Sequence, residues 1–168
     1  MKPAEPRTEP AEPHADHALA ALLAAVPFIG TLGIEVMSAS PEEVIGRLAW
    51  RQELCTAGGA LNGGVLMSLA DNMGGACAFL NLPAGAGTAT ISSSTNFLRA
   101  IREGHVTATS RPLRVGRSVI VVETELRDDD GRLAAHTTQA QAVIGPGGPN
   151  RRSGPPPPPS SVSTSPSS

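Results

Sequence analysis

The chain has 168 residues, 40% of them hydrophobic but only 2% aromatic, and a formal net charge of -2 at pH 7. That balance leaves no polyanion-binding footprint, and no Tyr, one Trp and three Phe offer little to stack on bases, which argues against a nucleic-acid partner. Two cysteines are too few for a disulfide framework, and no CxxC or clustered His-Cys pattern suggests a metal site.

In chain order, residues 1–15 repeat Pro and Glu with almost no large apolar side chains and read as a disordered leader. The folded domain is expected over 16–144. Ala18 to Val26 forms a small apolar helix after an acidic leader, broken by Pro27 before it reaches membrane-spanning length, so no membrane partner and a cytoplasmic location are expected. Ile34–Ser40 and Val44–Trp50 flank Pro41-Glu42-Glu43 as a hairpin. Gly58-Gly59-Ala60-Leu61-Asn62-Gly63-Gly64 is a glycine-rich approach to a helix whose N-cap is Asn62. Such an end presents free backbone N–H groups that can hold an anion or a developing oxyanion. It is neither the dinucleotide fingerprint nor a phosphate loop.

The helix runs to Leu80, with Leu66, Leu69, Met73, Ala76, Cys77 and Leu80 as its apolar stripe. Thr88–Leu98, His105–Val115, Ser118–Arg127 and Leu133–Ile144 follow as strands, with turns at Gly116-Arg117 and Asp129-Asp130-Gly131. Asp128-Asp129-Asp130-Gly131 lacks the other ligands of a calcium loop. His105 and His136 lie on strands, where surface or core histidines are the default. Residues 145–168, with Pro155 to Pro159 and a Ser-rich end, read as a disordered tail.

Between Glu53 and Arg99 the chain carries one charged side chain, Asp71. A carboxylate removed from water is kept only if hydrogen bonds satisfy it or chemistry uses it. Asp71 lies opposite the apolar stripe, on a face shared with Gly64, Ser68, Gly75 and Ala78. That face lacks long side chains, so a ligand or another subunit is expected to pack closely on it. A general base or nucleophile fits this position; an Asp that caps a loop or meets a distant Arg is the other reading.

Leu61-Asn62-Gly63-Gly64-Val65-Leu66-Met67-Ser68-Leu69-Ala70-Asp71 resembles the central-helix motif of hotdog-fold acyl-CoA thioesterases of the phenylacetate-pathway (PaaI-like) type, whose pattern is His-Gly-Gly followed at this spacing by Asp or Glu. Asn96-Phe97-Leu98-Arg99-Ala100, Gly104 and Gly116-Arg117-Ser118 extend the likeness over about residues 28–144. The resemblance implies an α+β hotdog fold, an antiparallel β-sheet wrapped around one long central helix, and hydrolysis of an acyl-CoA thioester to free acid and CoA. Asp71 would be nucleophile or general base, and the Gly63 N–H, with Asn62 beside it, would polarise the carbonyl. Thr56 and Thr90 would orient substrate, while Arg99, Arg117 and Ser118 would meet the nucleotide end of CoA, with Arg114 a further candidate cation. Leu69, Met73, Cys77 and Phe97 are candidates for the acyl pocket. No metal and no cofactor beyond the CoA of the substrate are implied.

The family assembles as a homo-oligomer, a dimer or a dimer of dimers (homotetramer), and the two catalytic groups usually come from different subunits. This chain departs from the pattern twice. Asn62 replaces the usual His, and Thr56 stands where Gln or Asn is common. The first departure favours the competing reading, a non-catalytic acyl-CoA binding or regulatory protein on the same fold.

Overall fold

The computed structural model describes residues 26–145. The expected leader, nearly all of the apolar helix from Ala18, and all of the expected tail but Gly145 lie outside the described residues. Pro27 begins a helix where the sequence suggested an interruption. In α1 (Pro27–Leu32) it stands in the first turn, where its missing N–H leaves no bond unmade and its fixed φ suits the helix. Gly33, at φ +69°, ends α1 in the left-handed region that only glycine enters freely.

Strands β1 (Glu35–Ala39) and β2 (Val44–Ala49) form the expected hairpin, joined by an ion pair of 2.7 Å between Arg47 and Glu35. The long helix α2 (Gly63–Leu80) follows, then β3 (Gly87–Phe97), β4 (His105–Val115), β5 (Val119–Asp128) and β6 (Leu133–Ile144). All six strands are antiparallel neighbours in one sheet of order β1-β2-β4-β5-β6-β3, and α2 packs on it. At the β5–β6 turn the Asp128 carboxylate accepts from the Asp130 and Arg132 N–H groups, so the aspartate run is committed to a turn.

Alternation decides which face of the sheet meets the helix. Val106 and Ala108 on β4, and Ile120, Val122 and Leu126 on β5, are fully buried beneath α2, with half-buried residues between them. From the helix, Leu69, Met73 and Cys77 are fully buried against this floor, each large side chain contributing about 1.5–3 kcal/mol. Gly46 on β2 makes room for Met73, whose Sδ would lie 2.2 Å from a Cβ there. The floor changes character toward β6 and β3. Thr137, Gln139 and Gln141 are buried on β6, and a bulge in β3 between Thr90 and Ser92 keeps Thr90 opposite Gln141 and Ser93 opposite Gln139.

Sequence patterning suggested a helix covered on both faces. Within the described residues α2 is buried on one: Leu66, Leu69, Ala70, Met73, Gly74, Ala76, Cys77 and Ala78 are buried, while Gly64, Met67 and Asp71 are exposed. The difference has a geometric cause, since one sheet can cover only one side of a helix.

Candidate functional site

Asp71 stands over the polar end of the sheet. Its Oδ1 accepts from the Thr90 hydroxyl at 3.2 Å and from Gln139 Nε2 at 3.3 Å. The Thr90 oxygen in turn accepts from Gln141 Nε2 at 2.9 Å, so the single hydroxyl proton of Thr90 is left for the carboxylate. Thr88 closes the chain, with its hydroxyl 3.2 Å from Gln141 Oε1. Both anchors fall on one carboxylate oxygen. Oδ2 has no hydrogen-bond partner among the described residues.

Two open recesses meet at Asp71. One is lined by Ile29, Gly75, Ala76, Phe79 and Thr88, the other by Phe28, Met67, Ser68 and Ser93; Val26 and Asn72 belong to both. Among the described residues Asp71 is the only ionisable side chain lining either one. The sequence reading placed it away from water, yet within the described residues it is exposed. The small residues around it leave it open because no long side chain among the described residues reaches over them. Three side chains expected to line an acyl pocket do not reach these recesses: Leu69, Met73 and Cys77 face the sheet and are fully buried. Burial pushes the Cys77 thiol up to about 11, so it supplies no thiolate at neutral pH.

The start of α2 is a second locus. Asn62 is the N-cap, and its Oδ1 accepts from the Gly64 N–H at 2.8 Å. The preceding N–H, that of Gly63, has no hydrogen-bond partner among the described residues, as the first donors of a helix do not. A recess in front of it is formed by Ala60, Leu61, Phe97, Leu98 and Arg99. The Phe97 ring lies so close over Gly63 that a Cβ there would come within 3.1 Å of it. Arg114, Arg117 and Ser118 share a fourth recess at the β4–β5 turn. Thr56 sits in the exposed loop before the helix, and its hydroxyl bonds the Ala60 carbonyl at 3.2 Å.

The structure therefore joins Thr90 to Asp71, sets Arg99 in the recess lined by Gly63, next in sequence to Asn62, and gathers Arg114, Arg117 and Ser118. It does not join the first group to the second. Asp71 is eight positions beyond Gly63 on one straight helix, about 12 Å of rise.

Gln139 and Gln141 were not legible as site residues. Their signal was the polar series Thr137, Gln139 and Gln141 at every second position of β6, a pattern ordinarily assigned to a solvated face.

The profile of the Thioesterase superfamily matches residues 58–135. A protein of Saccharolobus solfataricus provisionally named an esterase is 34% identical over 104 residues, 62% of this chain and 74% of that protein. The 1,4-dihydroxy-2-naphthoyl-CoA hydrolase of Escherichia coli is 28% identical over 86 residues, 51% of this chain and 63% of that enzyme. Among solved structures, thioesterase HI1161 of Haemophilus influenzae superposes with a TM-score of 0.71 at 25% identity, over 77% of this chain and 90% of its own. The PaaI protein of the Escherichia coli phenylacetic acid degradation operon gives 0.70 at 22% identity, over 78% and 94%, a likeness of fold alone. The fold is the hotdog fold.

Proposed function

The chain belongs to the thioesterase superfamily, and from that premise we propose that it hydrolyses an acyl-CoA thioester to the free acid and CoA. The observation that carries the assignment to Asp71 is its asymmetric anchoring. Oδ1 is held by Thr90 and Gln139 while Oδ2 stays unpaired on the wall of two largely apolar recesses. A carboxylate held this way can attack the thioester carbon, expelling CoA thiolate and leaving a mixed anhydride; water then opens the anhydride and supplies the proton that the thiolate takes up. The carboxylate can equally take a proton from the water that attacks.

Charge developing on the carbonyl oxygen would be met by the free N–H of Gly63, aided by the helix dipole and by the Asn62 amide. The separation of about 12 Å along α2 means that these donors and Asp71 act on one substrate only if they come from two copies of the chain. The recess of about 420 Å³ beside Phe79 suits an uncharged acyl group, since no cation among the described residues lines it to hold a second carboxylate. Arg99, Arg114 and Arg117, all exposed and at strand ends, would hold the phosphates of CoA, with Ser118 beside them.

Thiol release from a panel of acyl-CoAs tests this reading, with wild type beside Asp71→Asn. Loss of a general base costs roughly 100-fold or more in turnover. Asn is isosteric and Asp71 is exposed, so thermal unfolding should not move. Equal thiol release by the two proteins would remove Asp71 from the chemistry. Acyl-CoA binding without thiol release in the wild type would favour a binding protein, the reading to which the Asn62 replacement of His points.

A further inference from the structure

Gln139 is 1% exposed on β6, beneath α2. Its Nε2 reaches Asp71 Oδ1, and its Oε1 is buried with no hydrogen-bond partner among the described residues. The opposite orientation of the amide would set oxygen against the carboxylate oxygen, so the carboxylate itself dictates which end is left unpaired. A buried amide oxygen without a partner is destabilising, and a Leu or Met would fill the same space without that penalty. Gly74 is a second concession at the same spot. A Cβ on it would stand 2.2 Å from Gln139 Oε1, so the helix gives up a side chain in its middle, where Gly is itself unfavourable, to admit the amide.

Both features weaken the core, and both serve one contact. We propose that Gln139 is a positioning residue: by holding Oδ1 of Asp71 from below, it keeps Oδ2 presented to the thioester or to the attacking water. The inference rests on Asp71 being the reacting carboxylate. Without Gln139, Asp71 keeps only the Thr90 hydroxyl, and one hydrogen bond leaves the carboxylate free to rotate. No other ionisable group lines the recesses at Asp71 from α1, α2, β3 or β6, so no neighbouring charge takes over the task.

The test compares Gln139→Met, Gly74→Ala and the double variant, each in the full chain, by kcat and KM on the best acyl-CoA substrate and by thermal unfolding. Gln139→Met should lower kcat about ten- to a hundredfold, as misplacement of a reacting group does, with KM within about twofold and a melting temperature equal to or above wild type. Gly74→Ala should reproduce the kcat loss by pushing the amide aside, and should add nothing in the Gln139→Met background. Unchanged kcat in Gln139→Met overturns the proposal. So do losses in the two single variants that simply add in the double one, whatever happens to the melting temperature. Asp71→Asn run alongside separates the two readings. If it retains full turnover, the assignment of Asp71 falls and this proposal with it; if it is inactive while Gln139→Met is not impaired, only the role of Gln139 falls.

Discussion

At the scale of the residue, the Asn62 side chain presents two separate groups, one engaged and one free among the described residues. Its Oδ1 is occupied by the Gly64 N–H at 2.8 Å, while its Nδ2 has no partner among the described residues. An amide can thus cap the helix and donate to a substrate carbonyl at once, which neither Asp nor Ser can do in the same way. Asn62→Asp keeps the cap and gains from the helix dipole, yet places negative charge where negative charge develops. Turnover should fall by about 100-fold, the usual loss when an oxyanion donor is removed, with the melting temperature held or raised. Asn62→Ser should cap comparably and lose less turnover, and Asn62→His should keep or raise it. Steady-state thiol release and thermal unfolding on the three variants check this. If all three match the wild type, Asn62 only caps and Gly63 polarises the carbonyl alone.

At the scale of the element, the helix shows where sequence patterning was informative and where it was not. Its start at Asn62 and Gly63 and its stripe of Leu66, Leu69, Met73 and Cys77 were legible, because capping chemistry and 3.6-residue periodicity depend on neighbours in the chain. The strands were legible to within a residue or two for the same reason. Which of two adjacent glycines is pressed from outside depends on what lies across from each. The sequence set Gly75 on a face expected to meet a ligand or another subunit, and among the described residues nothing lies within 4 Å of a Cβ there, whereas Gln139 stands against Gly74, which the sequence did not single out. The polar series on β6 was visible too, but period-2 polarity reads as solvent-facing until a helix is found above it. Gly75→Leu should accordingly cause no overpacking within the chain and should strengthen the helix by about 1 kcal/mol. Its side chain would occupy the recess at Asp71, raising KM or lowering kcat while unfolding shifts upward. A destabilised variant with intact kinetics would contradict the placement of that recess.

At the scale of the whole molecule, the open features of the described residues are those that a proposed two-copy assembly would cover. The strand β3 ends the sheet with eleven residues, nearly all exposed, Ile91 and Phe97 among them. Beside it lies the uncovered face of α2 with Met67 and Asp71. A long exposed edge strand invites pairing with another chain, and a second copy related by a two-fold axis would cover the edge and the helix face together. The isolation of Asp71 was legible in the sequence, but what would cover it was not, since a sequence does not distinguish burial by its own chain from burial by a copy or a ligand. If each site takes Asp71 from one copy and Asn62-Gly63 from the other, two inactive variants should rescue each other. Asp71→Asn and Asn62→Asp, co-refolded in equal amounts, would form mixed dimers in which one of the two sites carries both substitutions and the other carries neither. Random pairing makes half the dimers mixed, so the mixture should regain about a quarter of wild-type turnover from two nearly inactive parents. Light scattering on the same samples should give the same mass for parents and mixture. Activity no higher than the average of the two parents, in a sample shown to contain mixed dimers, would place both catalytic groups within a single chain and overturn the shared site.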